Sequence, residues 1–136
     1  MKSIKVVKLS KKYQTNVQNI ENERKKVEEV IQNTFEKFIN EENYNTLDYV
    51  NQCLIDEYIY ISNDIILSEG KYIRYLDLKN VNKIKLRIGG FVLFDNGYSV
   101  TIKGQNGNIR LSKKNKIFFS KMTDTDRIRD AVKEYL

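Results

Sequence analysis

Basic and aromatic side chains are interleaved along the second half of this 136-residue sequence. Cationic side chains neutralise phosphate groups and aromatic rings stack on unpaired bases, so the two together suit a nucleic-acid strand. The pattern predicts a nucleic-acid-binding face with six phosphate contacts and with Tyr98 as a stacking residue. The six predicted phosphate contacts are Lys85, Arg87, Lys103, Arg110, Lys113 and Lys114.

The charge of the whole segment supports this prediction more than any single residue does, because one lysine or one ring is better explained as a solvated side chain or a core residue. Residues 71–121 contain twelve Lys and Arg residues against Asp77 and Asp95, a net +10 in a chain whose total charge is +6. A positive segment of this density usually faces a polyanion or an acidic protein surface. RNA and DNA both fit, since nothing in the pattern reads a 2′-hydroxyl.

A second class of function fits the same charges. Residues 14–70 contain twelve acids against four bases, a net −8, so an acidic segment precedes the basic one. The basic face could therefore dock on an acidic protein partner, or on the acidic segment of another copy. The alternative prediction is a protein-interaction or assembly subunit. A viral, phage or mobile-element component, or an inhibitor of a host factor, fits the richness in Lys, Asn and Ile that is typical of AT-rich coding sequences.

The sequence offers little for catalysis or for metal binding. It contains no His and a single cysteine, Cys53, so it lacks an imidazole base and the ligands of a structural zinc site. Residues 104–108 lack the Lys-Ser/Thr of a phosphate-binding loop and are typical of a hairpin turn. We expect a non-enzymatic binding protein without a cofactor. A magnesium nuclease built on carboxylates, such as Asp124, Asp126 and Asp130, is the remaining enzymatic alternative.

Helical periodicity dominates the first third of the chain. Apolar residues recur at helical spacing from Val17 to Ile39, which predicts a long amphipathic helix over about residues 16–41 with an acidic outer side. A shorter helix is expected after a cap at Asn45 or Thr46, with Cys53 on its buried side. The first residues, around Ile4, have the composition of a strand.

Alternating segments separated by turn signals predict strands in the second half. The predicted strands are 71–76, 84–94, 98–103, 108–113 and 116–121, and the alternation from Tyr58 indicates one more before them. Asn96-Gly97 and Asn106-Gly107 are typical of tight hairpin turns. The pair Gly89-Gly90 predicts a bulge or a sharp bend within a strand. Short hairpins at this spacing favour a small antiparallel barrel of the SH3-like type.

These elements predict one α+β domain over residues 1–136. Residues 1–57 would form the N-terminal strand and helices, 58–122 the small β-barrel and 123–136 a C-terminal helix. No apolar stretch approaches the ~20 residues of a membrane span, and one cysteine cannot form an internal disulfide. We therefore expect a cytoplasmic protein in a reducing compartment, without a membrane partner. A homo-oligomer or a subunit of a larger complex is expected.

Overall fold

A computed structural model gives the structure of the protein over residues 21–122, where two helices precede six strands. The described part of helix α1 covers residues 21–36, and helix α2 is Glu41–Leu54. The strands are β1 Tyr58–Ile61, β2 Tyr72–Asp77, β3 Lys85–Asp95, β4 Ser99–Gly104, β5 Gly107–Ser112 and β6 Lys116–Lys121. The α+β class and the six predicted strands are confirmed. The predicted N-terminal strand, the start of the long helix and the predicted C-terminal helix lie outside the described residues.

The junction between the two helices differs from the sequence prediction. Helix α1 ends at residue 36 rather than near 41, and α2 begins at Glu41 rather than after a cap at Asn45 or Thr46. The cap is Asn40, whose extended backbone lets its side chain accept the Asn43 N–H at 2.7 Å. The polar residues from Glu41 onward, which suggest a break, are in fact the first turn of α2, where Glu41 and Glu42 are exposed and Asn43 is buried. No helix within residues 21–122 has the length and apolar content needed to cross a membrane.

Asn43 fixes this junction to the sheet. Its side chain is buried, its Nδ2 donates to the carbonyl oxygens of Phe38 and Val81 at 2.8 and 2.9 Å, and its Oδ1 accepts the Ile84 N–H at 3.0 Å. A buried amide with these three partners has few unsatisfied hydrogen-bonding groups, so its burial costs little. Asn43 therefore joins the end of α1 to the connection between β2 and β3.

The six strands form an open sheet in the order β1-β6-β2-β3-β4-β5, and every neighbouring pair is antiparallel. The predicted closed SH3-like barrel is therefore wrong. Closure would require the two outer strands, β1 and β5, to pair with each other. Instead β6 lies between β1 and β2, so the last strand lengthens the sheet on one side while β5 ends it on the other. The hairpin signals identify the strands but do not determine this long-range order.

Both faces of the sheet carry apolar residues. On the helix-side face, the helices pack on a cluster that includes Val27, Leu54 and Phe119. On the loop-side face, a second cluster includes Phe118 and Leu67, the latter from the β1–β2 connection. Phe118 and Phe119 are consecutive in β6, so their side chains point to opposite faces. The sheet is thus the middle layer between the helices and a connecting segment.

Strand β3 contains two bulges, and each of them reverses the face of the sheet to which the following side chains point. Ile73 is opposite Gly90 and Tyr75 is opposite Arg87, so β3 has one extra residue, and a second register shift lies between Val92 and Phe94. Gly89 has a φ of +73°, and the predicted bulge at Gly89-Gly90 is confirmed. Each one-residue shift moves the following side chains to the other face. The first bulge consequently decides which basic residues share a surface.

Candidate nucleic-acid interface

Lys85 and Arg87 lie on the loop-side face at the start of β3. Their partners across the strand pair are Asp77 and Tyr75, and Tyr75 belongs to the loop-side cluster. The Arg87 Nε lies 3.5 Å from the Asp77 Oδ2, so part of this positive charge is already compensated. Both basic side chains are exposed, at the end of the sheet where β2 turns into β3.

Lys103 and Arg110 lie on the opposite, helix-side face. Lys103 is opposite Phe91, which is opposite Tyr72 of the helix-side cluster. Arg110 on β5 is opposite Thr101, two residues from Lys103 along β4. The bulge in β3 causes this division, because without the extra residue Arg87 and Phe91 would share one face. The structure therefore separates four of the predicted phosphate contacts into two pairs on opposite faces.

Lys113 is buried, with a relative exposure of 6%. Its Nζ lies 2.9 Å from the Asp95 Oδ2 and donates to the carbonyl oxygens of Asn63 and Ile65, both at 3.2 Å. An ammonium group has three hydrogens to donate, so these three acceptors use all of them. The structure thus places this residue in an internal network and not on the surface that the sequence suggested.

Asp95 is the acidic partner in this network. Its carboxylate accepts the N–H groups of Leu67 at 2.7 Å and of Gly97 at 2.8 Å in addition to the Lys113 ammonium. Burial alone would raise the pKa of Asp95, but the Leu67 N–H, the Lys113 side chain and the Gly97 N–H outweigh it and lower that pKa. The pair therefore fastens the β1–β2 connection to the β3–β4 turn.

Tyr98 and Lys114 lie at the open end of the β4–β5 hairpin, away from the turn that joins the two strands. Tyr98 is 86% exposed, and its carbonyl oxygen accepts the Lys113 N–H at 3.0 Å. Lys114 is exposed, and its N–H donates to the Ser112 Oγ at 3.2 Å. Arg110 is close to this end as well, since its Nε donates to the Ser99 Oγ at 3.1 Å. Tyr98, Arg110 and Lys114 are thus carried by the same hairpin and its flanking turns.

Two exposed rings near these cations escape the sequence prediction. Phe91 is 52% exposed and Phe94 is 65% exposed. Phe91 is opposite Lys103, and its ring centroid lies 5.0 Å from that of Tyr72. Phe94 is opposite Thr101 on the same face. Positions three apart point to opposite faces of a regular strand, so only the second bulge brings both rings to one side.

Four helix-side residues that the described helices leave exposed form a surface, which we call the β3–β5 surface. They are Phe91, Phe94, Lys103 and Arg110. No Asp or Glu occurs in the sequence between Asp95 and Asp124, so β4 and β5 bring no acid to this surface. Within residues 21–122, no cluster of three or more metal-ligating side chains is present.

Comparisons of this chain with protein-family models, with curated proteins and with solved structures give no match.

Proposed function

We propose that the protein binds single-stranded nucleic acid through the β3–β5 surface. One observation supports this most directly: an exposed ring, Phe91, lies directly opposite an exposed cation, Lys103, on the neighbouring strand. Residues opposite each other in an antiparallel pair have Cβ atoms about 5 Å apart. A base could therefore stack on the ring while its phosphate contacts the ammonium group.

The surface offers a second combination of the same kind. Phe94 is opposite Thr101, and Thr101 is opposite Arg110, so a ring and a guanidinium stand in one row across three strands. Stacking on an aromatic side chain contributes roughly 1–3 kcal/mol per base and tolerates any sequence. Two ring-and-cation rows side by side thus favour a single strand of little sequence preference, with Tyr98 and Lys114 at one end as further contacts.

The proposal includes a non-enzymatic role in a reducing, intracellular setting. The single cysteine, Cys53, is half-buried on α2 and packs against the helix-side cluster, as expected of a small apolar residue. Lys85 and Arg87 do not belong to this surface because they lie on the other face. Lys113 does not belong to it either, since its ammonium group is paired inside the protein.

The test is fluorescence anisotropy with labelled, 5′-hydroxyl single-stranded RNA and DNA and with duplex DNA, at ~50 and ~200 mM salt. We expect the single strands to bind more tightly than the duplex, with affinity that falls steeply as salt rises. The double variant Lys103→Gln/Arg110→Gln should bind at least about tenfold more weakly and show a shallower salt dependence. The variants Phe91→Leu and Phe94→Leu should each bind more weakly with an unchanged salt dependence, because each substitution removes a stacking ring but no charge.

The matched control is Lys79→Gln/Lys85→Gln, which likewise removes two positive charges, but at the connection between β2 and β3 and away from the β3–β5 surface. We expect it to bind the 5′-hydroxyl strands nearly as the wild type does. Equal losses in both double variants would show that net charge and not the β3–β5 surface determines binding. Absence of binding at low salt would overturn the proposal and favour an acidic protein partner for this surface.

A further inference from the structure

A second basic site lies at the connection between β2 and β3. It is a pocket of about 300 Å³, and four of its six lining side chains are cationic while one is acidic. The lining residues are Asp77, Lys79, Asn80, Lys83, Lys85 and Arg87. The pocket differs from the β3–β5 surface because it has no aromatic ring in its lining and because Lys85 and Arg87 lie on the opposite face of the sheet.

Local hydrogen bonds hold the wall of this pocket in place. The Asp77 Oδ1 accepts the Lys79 N–H at 3.0 Å, and the Asn80 Oδ1 accepts the Asn82 N–H at 3.1 Å. The Lys83 N–H donates to the Asn80 carbonyl oxygen at 3.0 Å and closes the turn. Asp and Asn side chains that bond the backbone two residues on are typical of fixed turns. The connection that carries the cations therefore has a conformation defined by its own hydrogen bonds.

The cations are not fully compensated by neighbouring acids. Lys83 pairs with Glu42 and Arg87 pairs with Asp77, each at 3.5 Å. Lys79 and Lys85 form no ion pair with any residue that the structure describes. Positive charges gathered in a concave site raise the local potential and attract an anion. Two unpaired ammonium groups match the charge of a dianion.

We propose that this pocket binds a phosphate monoester in its dianionic form. Lys79 and Lys85 contact the phosphate oxygens. Asp77 holds Arg87 at its Nε and leaves the terminal N–H groups of the guanidinium to donate to the same phosphate. The ligand is a mononucleotide or the phosphorylated end of a strand, since both present the same group. This inference goes beyond the proposed function and does not depend on it.

Because the sequence contains no histidine, the pH dependence of binding at about pH 6 should report the protonation of the ligand. The second pKa of a phosphate monoester is about 6. The sequence contains no His, and lysine and arginine stay charged in this range. Affinity for AMP should therefore rise between about pH 5.5 and pH 7.5 as the dianion forms, while affinity for a 5′-hydroxyl strand stays constant.

The test is a calorimetric titration of the full chain with AMP and with adenosine at ~50 mM salt. AMP should bind and adenosine should not. The double variant Lys79→Gln/Lys85→Gln should weaken AMP binding about tenfold or more, since each charge-assisted hydrogen bond is worth about a tenfold change. All the altered side chains are exposed, and a thermal melt checks each fold.

The Lys37→Gln/Lys121→Gln variant is the control, because it removes two exposed charges outside both sites and should keep the wild-type affinity for AMP. Equal binding of adenosine and AMP would overturn the proposal, as would wild-type affinity for AMP in the Lys79→Gln/Lys85→Gln variant. Comparison of 5′-phosphorylated with 5′-hydroxyl strands distinguishes the sources: a gain with the phosphate assigns the site to strand ends, and no gain assigns it to mononucleotides. The 5′-hydroxyl strand reports on the β3–β5 surface alone, so failure of one proposal is separable from failure of the other.

Discussion

Lys113 and Lys114 are consecutive in sequence but have opposite surroundings. The Lys113 ammonium group is surrounded by Asp95 and two carbonyl oxygens, whereas Lys114 is exposed. At the end of a strand, residue type alone cannot distinguish a buried lysine from an exposed one next to it. The signal that separates them is the isolated Asp95 before the Asn96-Gly97 turn, an acid placed in an otherwise apolar strand end. A buried acid of this kind requires a partner.

Replacement of Lys113 by methionine is expected to destabilise the protein by roughly 3–5 kcal/mol, because the Asp95 charge stays buried without its cation. The same change at Lys114 is the control and should cost less than about 0.5 kcal/mol, since its side chain is exposed. Urea denaturation followed by circular dichroism measures both. Similar values for the two variants would contradict the internal role of Lys113.

The lowered pKa of Asp95 also predicts a dependence of stability on pH. A carboxyl whose folded pKa lies below its unfolded value stabilises the protein above the unfolded pKa, and this contribution is lost as the pH falls through the folded pKa. The difference in free energy of unfolding between wild type and Asp95→Asn should therefore be constant near neutral pH and shrink below about pH 4. Denaturation curves from pH 7 to pH 3 measure it. A difference at pH 3 as large as the difference at pH 7 would contradict the assignment.

At the scale of elements, the bulges of β3 determine the surfaces. Gly89 combines a φ of +73° with close contact, because a Cβ added there would collide with the Ile73 carbonyl oxygen. Gly70 has a similar φ of +88°, but an added Cβ would meet no atom within 4 Å. Comparison of alanine substitutions at the two glycines thus separates the free-energy cost of the backbone conformation from that of the close approach between strands.

Gly70→Ala should cost about 1–2 kcal/mol, the usual penalty for a left-handed residue with a Cβ. Gly89→Ala should cost clearly more, because the bulge must also open to make room for the new atom. Thermal and urea denaturation compare the two variants. Equal costs would mean that the bulge can relax, and the division of the basic residues between two faces would then be less strictly fixed.

The elements show where sequence reasoning succeeds and where it fails. Alternation and the Asn-Gly pairs locate the strands because both are local signals. The position of the cap at Asn40 is missed because polar residues occur both in breaks and in first helical turns. The face of Phe94 is missed because a bulge depends on the register with a neighbouring strand, and periodicity alone carries no information about register.

At the scale of the molecule, the order of the strands is what the sequence leaves open. The short turns correctly join β3, β4 and β5, but nothing local states that β6 lies between β1 and β2. The basic segment is correctly recognised as a run of charge, yet the sheet distributes it over two faces and a core. Lys103 and Arg110 flank exposed rings, while Lys85 and Arg87 line a pocket without rings. The residues of one predicted binding face therefore belong to two separate surfaces with different side-chain chemistry.

The connection between β1 and β2 has no regular secondary structure over most of its length, yet it is held like a core element. Leu67 fills the loop-side cluster, its N–H is bound to Asp95, and the carbonyl oxygens of Asn63 and Ile65 are bound to Lys113. A tag or a fluorophore inserted there would have to displace buried groups. The exposed tip of the β4–β5 hairpin, at Gln105 and Asn106, carries no such contacts and is the better place to attach a reporter.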